Sequence, residues 1–130
     1  ATLAAVVNYE LPKKNAAEDS HNLLPLLKGE VKSLRSTHIH NTSSGRYAIR
    51  DGDWVLVDTK SGYVSRRDKN WEKKHGYAEK ENAEAKLFNL KEDIGQRNDL
   101  AARHPGKVKE MQALLKKIRE QGHSAPRLAK

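Results

Sequence analysis

Gly45-Arg46-Tyr47-Ala48-Ile49-Arg50-Asp51-Gly52-Asp53-Trp54-Val55-Leu56-Val57 carries two alternating patterns that meet at an acidic-glycine turn. In an extended chain successive side chains leave on opposite faces, so Tyr47 and Ile49 share one side while Ala48 and Arg50 share the other. The period of two resumes after Asp51-Gly52-Asp53, with Trp54 and Leu56 on one face and Val55 and Val57 on the other. Two alternating runs joined by a short Gly-containing turn predict a β-hairpin over residues 46–58.

Upstream, the same period places Thr37, Ile39 and Asn41 on one face of an extended segment and His38 and His40 on the other, which predicts a first strand from Arg35. Asn41-Thr42-Ser43-Ser44-Gly45 is turn chemistry and leads into the hairpin. Downstream, residues 59–84 are rich in Lys, Arg and Glu with few apolar anchors, and read as a long basic surface loop. Leu87-Phe88-Asn89-Leu90 predicts a fourth short strand, and Asp93-Ile94-Gly95 a turn. From Pro105 the period changes to helical, with Val108, Met111, Leu115 and Ile118 at steps of three and four, Leu114 beside them, and Gly122 following as a stop. This stripe is expected to be buried against the sheet.

The N-terminal third is helical in outline. Leu3, Val6 and Val7 recur at helical spacing in residues 1–11, with Pro12 as the expected terminator, and Asp19-Ser20-His21-Asn22 offers caps for a short helix over residues 22–28 closed by Gly29. Ala1–Val7 reads as a helix interior with no initiating Met or cap before it. The start is therefore expected to be a truncation, with any export signal upstream.

A chain of 130 residues with 36% hydrophobic and 32% charged residues is enough for one modest core. Its longest apolar runs are far shorter than a bilayer is thick, so no membrane partner is expected. With no cysteine, disulfides and thiolate metal sites are excluded. The formal charge of +8 favours anionic partners, and residues 103–130 hold eight Lys or Arg against Glu110 and Glu120. Sulfate esters, anionic polysaccharide, phosphate backbones and acidic proteins are attracted alike by such a field.

Three motifs in fixed order resemble the C-terminal subdomain of type I, formylglycine-dependent sulfatases. They are the arginine-flanked hairpin ending at Trp54; Leu87-Phe88-Asn89-Leu90 followed by Asp93-Ile94-Gly95-Gln96 and Leu100-Ala101; and Asp19-Ser20-His21-Asn22-Leu23-Leu24-Pro25-Leu26-Leu27-Lys28-Gly29. The chain departs from the family at Val55, where Lys is usual, at Ile94, where Pro is usual, and at Gln96, where Glu is usual. Val55 suits a strand, and Ile94 is expected to pack in place of the Pro.

The resemblance implies an α+β fold: a small antiparallel sheet of about four strands with a C-terminal helix on one face, preceded by helical remnants of a larger alkaline-phosphatase-like α/β domain. On that reading residues 1–34 end the large domain and residues 35–130 form the subdomain. It implies a parent enzyme, an arylsulfatase-type hydrolase, that cleaves aryl or carbohydrate sulfates with calcium and formylglycine, both held in a catalytic domain that is absent from this chain. The partners implied are that domain and the sulfated substrate, in a periplasmic or extracellular setting. No catalytic nucleophile or metal set is expected in this chain. Ser124-Ala125-Pro126-Arg127 is a near miss of the formylglycine signature, with the Arg one place early.

His38, His40 and Asn41 are the candidate substrate-binding residues. Two imidazoles share a face beside a polar turn, and in the family the corresponding strand runs near the cleft mouth. The competing reading is a pair of interface histidines bonding to the missing domain; as a zinc pair they lack a third ligand. Tyr47 and Trp54 read as core rather than as a sugar-stacking pair. Arg66, Arg67, Lys69, Lys73, Lys74 and His75, with Trp71 and Tyr77 between them, suit either anion binding or a solvated loop anchored by its aromatics. A stand-alone basic module for anionic glycan or nucleic acid is the alternative function. Nucleic acid is disfavoured because no recognised motif appears and aromatics are 5% of the chain. An interaction domain for a separately encoded partner is a third reading.

Overall fold

The hairpin forms as β2 (Tyr47–Asp51) and β3 (Trp54–Val57), paired antiparallel with Asp51 opposite Trp54. Gly52 takes φ +59 in the two-residue turn, a conformation that costs a residue without Cβ nothing, and the Arg50 Nε–H donates to the Gly52 carbonyl at 2.8 Å. This computed structural model describes residues 1–12, 17–41, 45–58, 68–76 and 84–125. The chain divides into two compact units, Thr37–Leu115 and a second made of Ala1–Ser36 with the residues from Lys116 onward.

In the first unit β1 (Thr37–Asn41) pairs with β2, and β4 (Lys86–Asn89) with β3, giving a four-stranded antiparallel sheet in the order β1-β2-β3-β4. The register aligns Ile39, Ile49, Leu56 and Leu87 in one row across the sheet. Ile49, Leu56 and Leu87 are fully buried, as is Met111, with Leu115 2% exposed. Met111 and Leu115 come from α4 (Pro105–Gln121). Two contacts identify the face that this helix covers. Gln112 Nε2 donates to Asp58 Oδ1 at 2.9 Å, and the Trp54 ring lies edge-on to His104 with centroids 5.5 Å apart. Both Trp54 and Asp58 share the side of Leu56, so this is an α+β layer with the helix on the Ile49 face.

The motif after β4 is an array of side chains satisfying backbone donors. Asp99 Oδ1 accepts from the Leu87 and Ala101 N–H groups, Asn89 Oδ1 accepts from Lys91 N–H, and Asp93 Oδ2 accepts from Arg97 N–H at 2.6 Å and Asn98 N–H at 2.7 Å. The Leu100 N–H then bonds the Leu87 carbonyl at 2.7 Å, holding residues 99–101 beside β4. These short acceptors replace ladder partners that an edge strand lacks.

Several expectations are corrected. Ile94 does not pack: it stands 82% exposed at the tip of the turn that Asp93 ties from within. Val108 and Ile118, expected within the buried stripe, are half-buried, as is Leu114 beside them. Tyr47 and Trp54 are also half-buried, outside the fully buried row. The stretch expected as one long loop contains α3 (Lys69–Lys74), started by Asp68, whose carboxylate accepts from Asn70 N–H at 2.8 Å. Tyr63, Val64, Arg66, Arg67 and Tyr77 lie outside the described residues, as does the tail from Pro126.

In the second unit α1 (Thr2–Val6) ends well before Pro12. Asn8 adopts φ +52, its N–H bonds the Ala5 carbonyl and the Tyr9 N–H bonds the Ala4 carbonyl, the closing pattern of a Schellman motif with Asn in the left-handed position. α2 (Leu24–Leu27) closes the same way through Gly29, at φ +74, where the sequence placed its stop. Thr2 Oγ1 links the two helices, accepting from Leu23 N–H and donating to the His21 carbonyl. Asp19 accepts from the Ser124 hydroxyl at 2.8 Å and from its backbone N–H at 2.9 Å. The Ser124 hydroxyl, then its N–H, hold the Asp19 carboxyl below its ordinary value of 3.8. A lowered carboxyl contributes stability that is present above the unfolded value and is lost as pH falls through the folded one. An NMR titration of the Asp19 side-chain carbon should show a midpoint below 3.8 that rises in Ser124→Ala; an unchanged midpoint would mean that the bonds do not persist in solution.

Candidate functional site

The sheet face opposite α4 is built by the other half of the alternation. Across it the register aligns His38, Arg50, Val55 and Phe88 in one row and His40, Ala48, Val57 and Lys86 in the next. Val55 and Phe88 are 8% and 6% exposed, so the middle of this face is apolar and covered. At the β1 edge His38 is half-buried and His40 exposed, with ring centroids 4.3 Å apart in an edge-to-face arrangement at 65°. The register sets Arg50 opposite His38, while the Arg50 Nε–H donates to the Gly52 carbonyl in the turn. This side of the sheet thus carries two imidazoles and a guanidinium, group types that suit sulfate oxygens or sugar hydroxyls.

Of the three residues singled out from sequence, the fold brings His38 and His40 together and sets Asn41 apart. Asn41 is one residue out of phase, opposite Tyr47 on the α4 side, and is exposed. The turn residues 42–44 that were to complete this rim lie outside the described residues. Arg50 is the member that sequence reading passed over. The signal was available in the hairpin alternation, but its neighbour across the strand depends on register, which a single strand does not reveal.

Among the described residues no group of three or more His, Asp or Glu gathers in a way that could hold a metal ion. Pro126 and Arg127 of the near-miss signature lie outside the described residues. Among the described residues no helix is long and apolar enough to cross a membrane.

No family model matches this chain, and no curated protein matches it. Among solved structures the chain is similar to a Bacteroides thetaiotaomicron sulfatase from a core genetic locus for the metabolism of multiple glycosaminoglycans. The two share 26% sequence identity and superpose with a TM-score of 0.70 over 92% of this chain. The chain spans 23% of the length of that sulfatase. This likeness supports a sulfatase-related chain.

Proposed function

We propose that this chain is the C-terminal subdomain of a sulfatase that hydrolyses sulfate esters of carbohydrates, with residues 1–34 closing the large domain and residues 35–130 forming the subdomain. The observation that carries this reading is the 26% identical superposition over 92% of the chain on a sulfatase. In this reading the catalytic nucleophile and calcium belong to the larger partner domain, and His38 and His40 face the substrate from the rim of the cleft. Their N–H groups would hold the sulfated sugar by its oxygens, and Arg50 would raise the local concentration of anionic substrate. Calcium and formylglycine, held in that domain, would supply the attack on sulfur, and the residues here would bind and orient the substrate.

Two measurements test it. The isolated chain should release no sulfate from generic aryl sulfates and bind no calcium tightly. Release above a heat-killed control, in a preparation free of full-length enzyme, would overturn the division of labour. The complete parent polypeptide should release sulfate from sulfated carbohydrate and lose that activity on calcium removal; a parent inert on every sulfate ester would sink the sulfatase reading.

A further inference from the structure

We propose that Trp71, Lys74 and His75 form a second carbohydrate site, a stacking platform on α3 that takes a sulfated sugar ring. The helix that carries it is six residues long, which is marginal in isolation, and its largest side chain is nevertheless left 45% exposed. Local contacts hold that indole. The His75 ring stacks on it with centroids 4.2 Å apart and planes 24° from parallel. His75 Nδ1 lies 2.7 Å from the Trp71 carbonyl oxygen, so the Nδ1–H donates there and Nε2 points away from the helix. The last turn is closed by Gly76 at φ +74, and its His75 N–H bonds the Trp71 carbonyl at 3.1 Å.

The result is an indole backed on one face by the His75 imidazole, so that a ligand would stack on the other face. A pyranose presents an apolar C–H face that such a surface attracts through its negative π face. Lys74 lies three residues from Trp71 and therefore on the same side of the helix, exposed, with Lys73 beside it. A ring stacked on Trp71 would place a sulfate ester within reach of the Lys74 ammonium. Charge complementarity together with a flat aromatic seat selects an anionic sugar over a neutral one. Naming the anion a sulfate rests on the proposed sulfatase function. The seat itself rests on the geometry of residues 68–76, and it is separate from the His38 edge, which lies on a strand.

The test uses the isolated chain, so its outcome does not depend on catalysis by the parent. Titration calorimetry with chondroitin sulfate oligosaccharides should detect binding that falls at least about fivefold in Trp71→Ala and in Lys74→Gln. It should be largely kept in Trp71→Phe and much weaker for the desulfated oligosaccharide. Melting temperatures within error of wild type show that the variants stay folded, and Trp71→Phe with Lys74→Gln decide the matter if Trp71→Ala does not. Equal affinity in wild type and Trp71→Ala, equal binding of the desulfated oligosaccharide, no binding at all, or tighter binding of a single-stranded oligonucleotide would each overturn the proposal. If the parent proves not to be a sulfatase while the chain still binds the sulfated ligand as described, the platform stands and the proposed function falls.

Discussion

Leu115→Ala should lower the unfolding free energy by about 2–5 kcal/mol, as deletion of a buried leucine side chain from a packed core does. Leu115 is 2% exposed and belongs to the small set, with Ile49, Leu56, Leu87 and Met111, that closes the space between α4 and the sheet. A core built on so few large side chains has little capacity to collapse around a cavity, so the loss should sit well within that range. Denaturant titration measures it, with the midpoint falling and the slope unchanged. Ile94→Ala provides the internal contrast, because Ile94 is 82% exposed and its removal should change stability by less than about 0.5 kcal/mol. A Leu115→Ala loss below about 0.5 kcal/mol would place the helix on the surface rather than over the sheet.

The second large effect is kinetic. In the full-length parent, His40→Ala should lower kcat/KM on the natural sulfated substrate by about 10- to 100-fold, the range expected when a hydrogen bond to a charged group is lost. The melting temperature should stay nearly unchanged, because His40 is exposed and its removal opens no cavity. Arg50→Gln should raise KM and flatten the dependence of kcat/KM on ionic strength, since a charge at the rim acts mainly on encounter. Unaltered kinetic constants in His40→Ala, or failure through unfolding alone, would assign the pair to an interface instead.

Much of the fold was legible because the strands are antiparallel and joined in sequence order. A period of two is then visible in β1 and β2, and Gly52 marks the turn that joins β2 to β3, while β3 and β4 bury adjacent residues from both faces. The helix from Pro105 was legible for the same kind of reason, a period that matches burial on one side. The candidate site was legible in part: alternation placed His38 and His40 on one face, but it also separated Asn41 from them, and proximity along the chain had suggested the reverse. α3 escaped because a six-residue helix rich in Lys has too few apolar positions to show a period.

By itself, the sequence determined the strands, their turns and the caps, since these depend on interactions between residues a few positions apart: a glycine at positive φ, an Asn or Asp accepting from nearby N–H groups, a period of two or of 3.6. Tertiary structure alone decided the rest. Register set Arg50 opposite His38 and Ile39 in line with Ile49, Leu56 and Leu87, and packing left Val108 half-buried while Met111 became fully buried. The turn at Asp93 sent Ile94 into solvent. The physical reason is common to all of these: hydrophobic burial and cross-strand proximity depend on what lies opposite a residue in space, and a linear pattern specifies the face on which a side chain emerges but not what it meets there.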